Sequence, residues 1–93
     1  MKVKAITVTD TPQRIPVRKN GGVGLRLINE GTTNPFYLGG DDSVSHTGAN
    51  QGQKIIPGAG TGDDLRNGDE VWVVCETGLT TEVSYSATGE PNA

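Results

Sequence analysis

Cysteine, histidine and aromatic residues are nearly missing from these 93 residues, which hold one Cys, one His and four rings in all. A lone Cys75 cannot form an internal disulfide, and small secreted domains commonly rely on a disulfide framework. A reducing compartment is the expected place of folding. Nucleophilic catalysis needs a nucleophile beside a base, most often His. The one candidate pair is His46 in a polar stretch and Cys75 in the most apolar stretch, where a thiol reads as a small buried hydrophobe. Catalytic residues are therefore expected to be none. Zinc needs about four Cys, His or carboxylate ligands, and the chain falls short. No apolar run approaches the roughly 18 residues of a membrane span. Met1-Lys2-Val3-Lys4 is not followed by the apolar region of a secretory signal, so no signal peptide is expected.

Helix is also missing. Fourteen Gly and five Pro leave no long window that is both helically periodic and free of breakers. Nine Val and eleven Thr suit a pleated sheet instead. Val23–Asn29 alternates, with Val23, Leu25 and Leu27 on one face. Phe36 and Leu38 share a face, and Tyr37 points the other way, outward. Ile55 anchors a short strand over 54–57. In Glu70–Glu76, Trp72 and Val74 alternate with Val71, Val73 and Cys75, so the strand is apolar on both faces and belongs in mid-sheet or between layers. Val83, Tyr85 and Ala87 point inward from the last strand. The expected core is Val23, Leu25, Leu27, Phe36, Leu38, Ile55, Trp72, Val74, Val83 and Tyr85.

The predicted fold is all-β: a small β-sandwich or jelly-roll-like barrel of six to eight short antiparallel strands with long Gly-rich loops. Residues 1–88 form one domain, with 11–19 as an extended arm or edge segment interrupted by Pro16, and 89–93 as a disordered tail. Residues 40–53 and 58–68 read as exposed loops. Asp63, Asp64, Asn67 and Asp69 are weak calcium candidates that miss the EF-hand spacing, and turn geometry explains them better. Gly58-Ala59-Gly60-Thr61-Gly62 lacks the following helix a phosphate loop needs. No metal and no cofactor are expected.

The net charge is −3, which argues against a nucleic-acid backbone as partner. Charge is also segregated. Lys2, Lys4, Arg14, Arg18, Lys19 and Arg26 are six of the eight basic residues, and only Asp10 and Glu30 among the acids precede residue 40. Such bipolarity can steer docking or order copies head to tail.

The order of pieces from Leu25 to Val83 is more distinctive than any motif. Leu25–Gly31 is an apolar strand ending in Asn29-Glu30-Gly31. Pro35–Gly40 reads PFYLGG, and a polar loop follows. Then come Ile55-Ile56-Pro57-Gly58, Asn67-Gly68-Asp69-Glu70-Val71-Trp72-Val73-Val74, and a closing Thr81-Glu82-Val83. This resembles a group of small tailed-phage virion proteins over about two thirds of the chain. The resemblance implies a structural virion protein, with capsid decoration (cement) as the leading role. It would be made in the host cytoplasm and would dock on the major capsid protein or other virion proteins. A homo-oligomer, with a trimer favoured, is expected, and neither nucleic acid nor membrane as partner. The interface candidates are Arg14, Ile15, Pro16, Arg18 and Lys19 of the arm, and Tyr37. The alternatives are a tail-, neck- or fibre-associated role and a carbohydrate or cell-surface-binding module, which would want two or more exposed rings.

Overall fold

The chain is one long hairpin that has been rolled up. In this computed structural model the described residues are 2–17, 23–65 and 69–88, and at 2, 3, 23, 63–65 and 88 only the backbone course is described. The strands are β1 (Lys2–Val8), β2 (Gln13–Arg14), β3 (Val23–Asn29), β4 (Phe36–Gly39), β5 (Gln53–Ile55), β6 (Gly60–Leu65), β7 (Trp72–Val74) and β8 (Thr81–Thr88). First pairs with last: β1 with β8, β2 with β7, β3 with β6 and β4 with β5, all antiparallel. This four-pair ribbon then curls so that β8 meets β3 and β7 meets β4. Two four-stranded sheets result, in the orders β1-β8-β3-β6 and β2-β7-β4-β5. That is the strand order of a jelly roll, one of the two expected architectures.

Alternation decides what goes between the sheets. Leu25 and Leu27 of β3 and Val83, Tyr85 and Ala87 of β8 face inward from the first sheet. They meet Phe36, Ile55, Val71, Val73 and Cys75 from the second. Each fully buried Val, Leu, Ile or Phe contributes about 1.5–3 kcal/mol relative to exposure. Ile15 and Val17, which follow β2, join the same core with exposures of 0% and 4%. Of the expected segment 11–19, residues 13–14 form an edge strand and 15 and 17 are anchored in the core, while 18 and 19 lie outside the described residues. Pro16 interrupts the pairing of β2 yet stays exposed while its neighbours on either side turn inward. Val23 of the expected core has only its backbone described, and Leu38 and Trp72 are half-buried. The tail 89–93 lies outside the described residues.

Residues 58–68 differ from the expected loop. Gly60–Leu65 is β6, in register with β3 from Ile28↔Gly60 to Val23↔Leu65. Glycine is a poor strand former, but here its bareness fits the neighbour. A Cβ on Gly60 would lie 3.1 Å from the Leu27 carbonyl oxygen and 3.3 Å from Ile28 Cγ1. The unpaired backbone of β3 supplies the template, and an edge position tolerates glycine.

The corner where both sheets converge is held by Asn29, which is fully buried. Its Nδ2 donates to the carbonyls of Asn34 and Ile55, both at 3.0 Å. Its Oδ1 accepts from the Gly31 amide at 3.0 Å and from Thr81 Oγ1 at 2.8 Å. Its backbone amide donates to the Ala59 carbonyl, and its carbonyl accepts from the Gly58 amide. One residue thus ties together β3, the 30–34 turn, β5, the approach to β6, and β8. Gly31 has to be glycine, because a Cβ there would fall 2.0 Å from Thr81 Oγ1.

Asn29→Ala strands an amide, two carbonyls and a hydroxyl in a buried corner. Each unsatisfied group costs about 1–3 kcal/mol, partly relieved where water enters. The expected loss is about 3–5 kcal/mol, read as a lower midpoint in urea unfolding with an unchanged slope. A loss below about 1 kcal/mol would contradict the corner's role.

Candidate docking surface

The second sheet is apolar on both faces, and its outer face carries most of the molecule's distinctive side chains. Pairing sets two rows there. One runs Lys54, Tyr37, Val74, and the other Gly39, Trp72, Arg14. The β4–β5 connection, residues 40–52, is largely exposed, as expected of a loop, but lays one buried side chain, Val44, over this face. Val44 is its plug: buried, it forms a second small core with Tyr37 and Val74, and Trp72 packs against it. A Cβ on Gly39 would lie 2.6 Å from Val44 Cγ2, and one on Gly52 2.5 Å from the Leu38 carbonyl oxygen. Two bare positions therefore make the socket. A bridge between Ser45 and Gln51 and a short 3-10 turn at Gly48–Asn50 complete the connection.

Polar groups ring this second core. Tyr37 Oη donates to Glu76 Oε2 at 3.0 Å. The His46 ring lies tilted against Tyr37, with centroids 6.3 Å apart. Trp72 Nε1 donates to Glu70 Oε1 at 2.8 Å. Arg14 turns its guanidinium onto its own segment, and Nη1 donates to the Val17 carbonyl at 3.0 Å. At the loop's start, Asp41 Oδ1 accepts from the Ser43 amide and hydroxyl, and these bonds lower the Asp41 carboxyl below 3.8.

Several sequence expectations change here. Tyr37 was expected to point into solvent, but it is 4% exposed because the 40–52 connection covers it. Of the interface candidates, Ile15 is core, Arg14 is half-buried, and Pro16 is exposed. Arg18 and Lys19 lie outside the described residues. Of the metal candidates, Asp63 and Asp64 occupy consecutive positions of β6, paired with Leu25 and Gly24. That segment is a strand where a loop was expected, and the side chains at 63 and 64 lie outside what is described. Asp69 is exposed, and Asn67 lies outside the described residues. Cys75 packs into the main core, whereas His46 sits against Tyr37 over the outer face of the same sheet. Phe36, Tyr37 and Tyr85 are buried, which leaves half-buried Trp72 as the most open of the four rings. A sugar platform of two exposed rings is not present.

Two open clefts flank the roll. One, of about 290 Å³, is lined by Leu38, Asp41, Val44 and Gln51 at the β4–β5 tip. The other, of about 230 Å³, is lined by Thr32, Thr33, Asn34 and Thr80 beside the Asn29 corner. Both are shallow and polar, without a nucleophile–base pair. No helix among the described residues is long and apolar enough to cross a membrane. Glu70, Glu76, Val44 and His46 were not singled out as surface residues by the sequence reading. The glycines bracketing the loop at 39–40 and 52 were their available signal. No protein-family model matches the chain, and neither a curated protein nor a solved structure matches it.

Two buried acids make stability fall at high pH. Burial pushes the Tyr37 hydroxyl above 10.0, and the bond to Glu76 pushes the same way. Burial, reinforced by Glu76, pushes the Cys75 thiol above 9.0. Both groups are held neutral in the fold, so their contribution is whole below those values and is lost as pH rises through and beyond them. Melting temperature should therefore decline from about pH 9 upward. Tyr37→Phe should remove the part that begins near pH 10. Native Cys75 should resist a thiol reagent that reacts at once with unfolded chain, and fast native labelling would contradict its burial.

Proposed function

We propose that this protein is a structural component of a tailed-phage virion, of the kind that decorates and stabilises the capsid shell. The observation that carries the reading is a jelly roll whose one thiol is packed into the core and whose outer strands, among the described residues, pair on one side only. Cys75 is buried, and the clefts are shallow and polar. Such a domain has little to offer a small substrate and much to offer a protein surface. Jelly rolls recur in viral capsid proteins, which supports the reading by analogy of fold. The order of pieces from Leu25 to Val83 supports it independently through the family resemblance.

The mode of docking differs from a gripping arm. Ile15 and Val17 are buried in the core and so anchor residues 11–17 to the domain. Contact would instead use strand edges and the loop-covered outer face around Trp72, Glu70 and His46. Among the described residues, three large apolar side chains are exposed: Ile28, Ile56 and Leu79, with Ile56 the most open at 56%.

The deciding experiment adds purified chain to empty, expanded capsids of the phage whose genome encodes it. Co-sedimentation with the shell and a higher capsid melting temperature are expected, because a ligand of the assembled state stabilises it by mass action. Binding to isolated tails or necks, with none to the shell, would place the protein at another station of the virion. Binding to neither would sink the virion reading.

A further inference from the structure

We propose that two copies of this chain pair face to face through the outer side of the first sheet, with β3 of one copy antiparallel to β3 of the other across a twofold axis at Ile28. This does not rest on the capsid reading, because the contact joins copies of the chain whatever they later cover. The two broad faces of the roll differ. On the second sheet, Val44 plugs the outer side and leaves Tyr37 4% exposed. On the first, the outer row of β3 is centred on Ile28, which is 43% exposed. Arg26 and Glu30 stand two residues to either side of it, both exposed. Ser84 is paired with Ile28 and donates from Oγ to Glu30 Oε2 at 2.8 Å, which places the Glu30 carboxylate on the same face.

The surroundings let a flat partner approach. Gly60 and Gly62 of β6 lie beside Ile28 and Arg26. A Cβ would stand 3.3 Å from Ile28 Cγ1 at Gly60 and 3.8 Å from Arg26 Cγ at Gly62, so this side of the row carries no bulk there. On the other side are Ser84 and Ser86 of β8, and beyond Ser84 is Ala5 of β1. Ile28 is thus a single apolar knob on a floor of small residues.

Charge chooses the partner and its orientation. In this row a cation and an anion sit about 6.8 Å to either side of Ile28. A twofold axis lying between the two sheets, perpendicular to β3 at Ile28, turns the row end for end. Arg26 of each copy then faces Glu30 of the other, and the two Ile28 side chains meet at the axis. An axis running along β3 would instead set Arg26 against Arg26 and Glu30 against Glu30. Ser84 holds Oε2 and so aims the Glu30 carboxylate, whose other oxygen can accept from a guanidinium. Glu82, held by Thr7, comes opposite Ser86. A foreign partner would have to reproduce the cation–apolar–anion row in reverse, whereas a second copy carries it already. The contact is isologous and closes at two copies.

Four strands about 4.8 Å apart and about seven residues long give a face of about 450 Å². That is below the roughly 800 Å² per partner of a standard interface, so the pair is weak and forms as concentration rises. Sedimentation velocity on the full chain tests this over a concentration series up to about 1 mM. The mass should rise from the 9.7 kDa of one chain toward twice that and no further. The dissociation constant should weaken about fivefold between about 0.05 M and 0.5 M salt. Arg26→Glu and Glu30→Arg should each weaken pairing about tenfold or more, with unchanged circular dichroism. An equimolar mixture of the two should pair again, and so should the double variant Arg26→Glu/Glu30→Arg, because each cation then meets an anion across the axis. Ile28→Glu, which sets like charges together at the axis, should stay monomeric. A wild type that is monomeric at every concentration overturns the proposal. So does a mass that grows beyond two copies, a pair that Arg26→Glu and Ile28→Glu leave intact, or folded charge variants that neither the mixture nor the double variant restores. If Glu30→Arg fails to fold, Arg26→Glu and Ile28→Glu decide alone.

Discussion

The fold turns on one buried amide. A rolled hairpin must pass its chain between sheets at sharp corners, and each corner strands backbone groups that strands would otherwise satisfy. At the corner between β3 and β4, Asn29 meets that need from a single side chain with two donors and an acceptor that takes two bonds. Two of its four partners lie in the adjoining turn and two, Ile55 and Thr81, lie far along the chain in different sheets, so the amide ties the two sheets to each other at this corner. The neighbouring cost is a restriction on sequence. Gly31 must stay bare for Thr81 to reach the amide. The Asn29-Glu30-Gly31 triplet is thus one device: an acceptor–donor hub, a spacer, and a gap.

Much of the architecture was legible wherever a strand has one wet face. β3 and β8 alternate cleanly, and Leu25, Leu27, Val83, Tyr85 and Ala87 face inward as the period of two picks out. β7 was legible as an inner strand because both its faces are apolar, and it lies between β2 and β4. What covers its second face was not legible. The cover is a polar, glycine-rich connection with one apolar plug, Val44, and no periodicity marks a plug. Tyr37 was misplaced for the same reason. β6 was hidden because its sequence, GTGDDL, reads as turn chemistry, and only the pairing demand of β3 makes it a strand. Ile15 and Val17 were masked by Pro16, which stops a ladder without stopping burial.

The outer surfaces divide by character. The second sheet is dressed with its own loop, two ring–carboxylate bonds and a small apolar base. The first is plain, and its outer face is laced by hydroxyl–carboxylate bonds from Thr7 to Glu82 and from Ser84 to Glu30. Two acids of that face, Glu82 and Glu30, are thereby held by hydroxyl partners.

Pairing first with last has a consequence for how the protein is made. Lys2 finds Ala87 and Val8 finds Thr81, so the opening strand emerges from the ribosome more than seventy residues before its partner exists. Contacts of such sequence separation slow folding, because loop closure must precede any gain from pairing. For that interval β1 is an orphan strand with both backbone edges bare. Completion of the last strand is the event that converts a nascent ribbon into a closed roll.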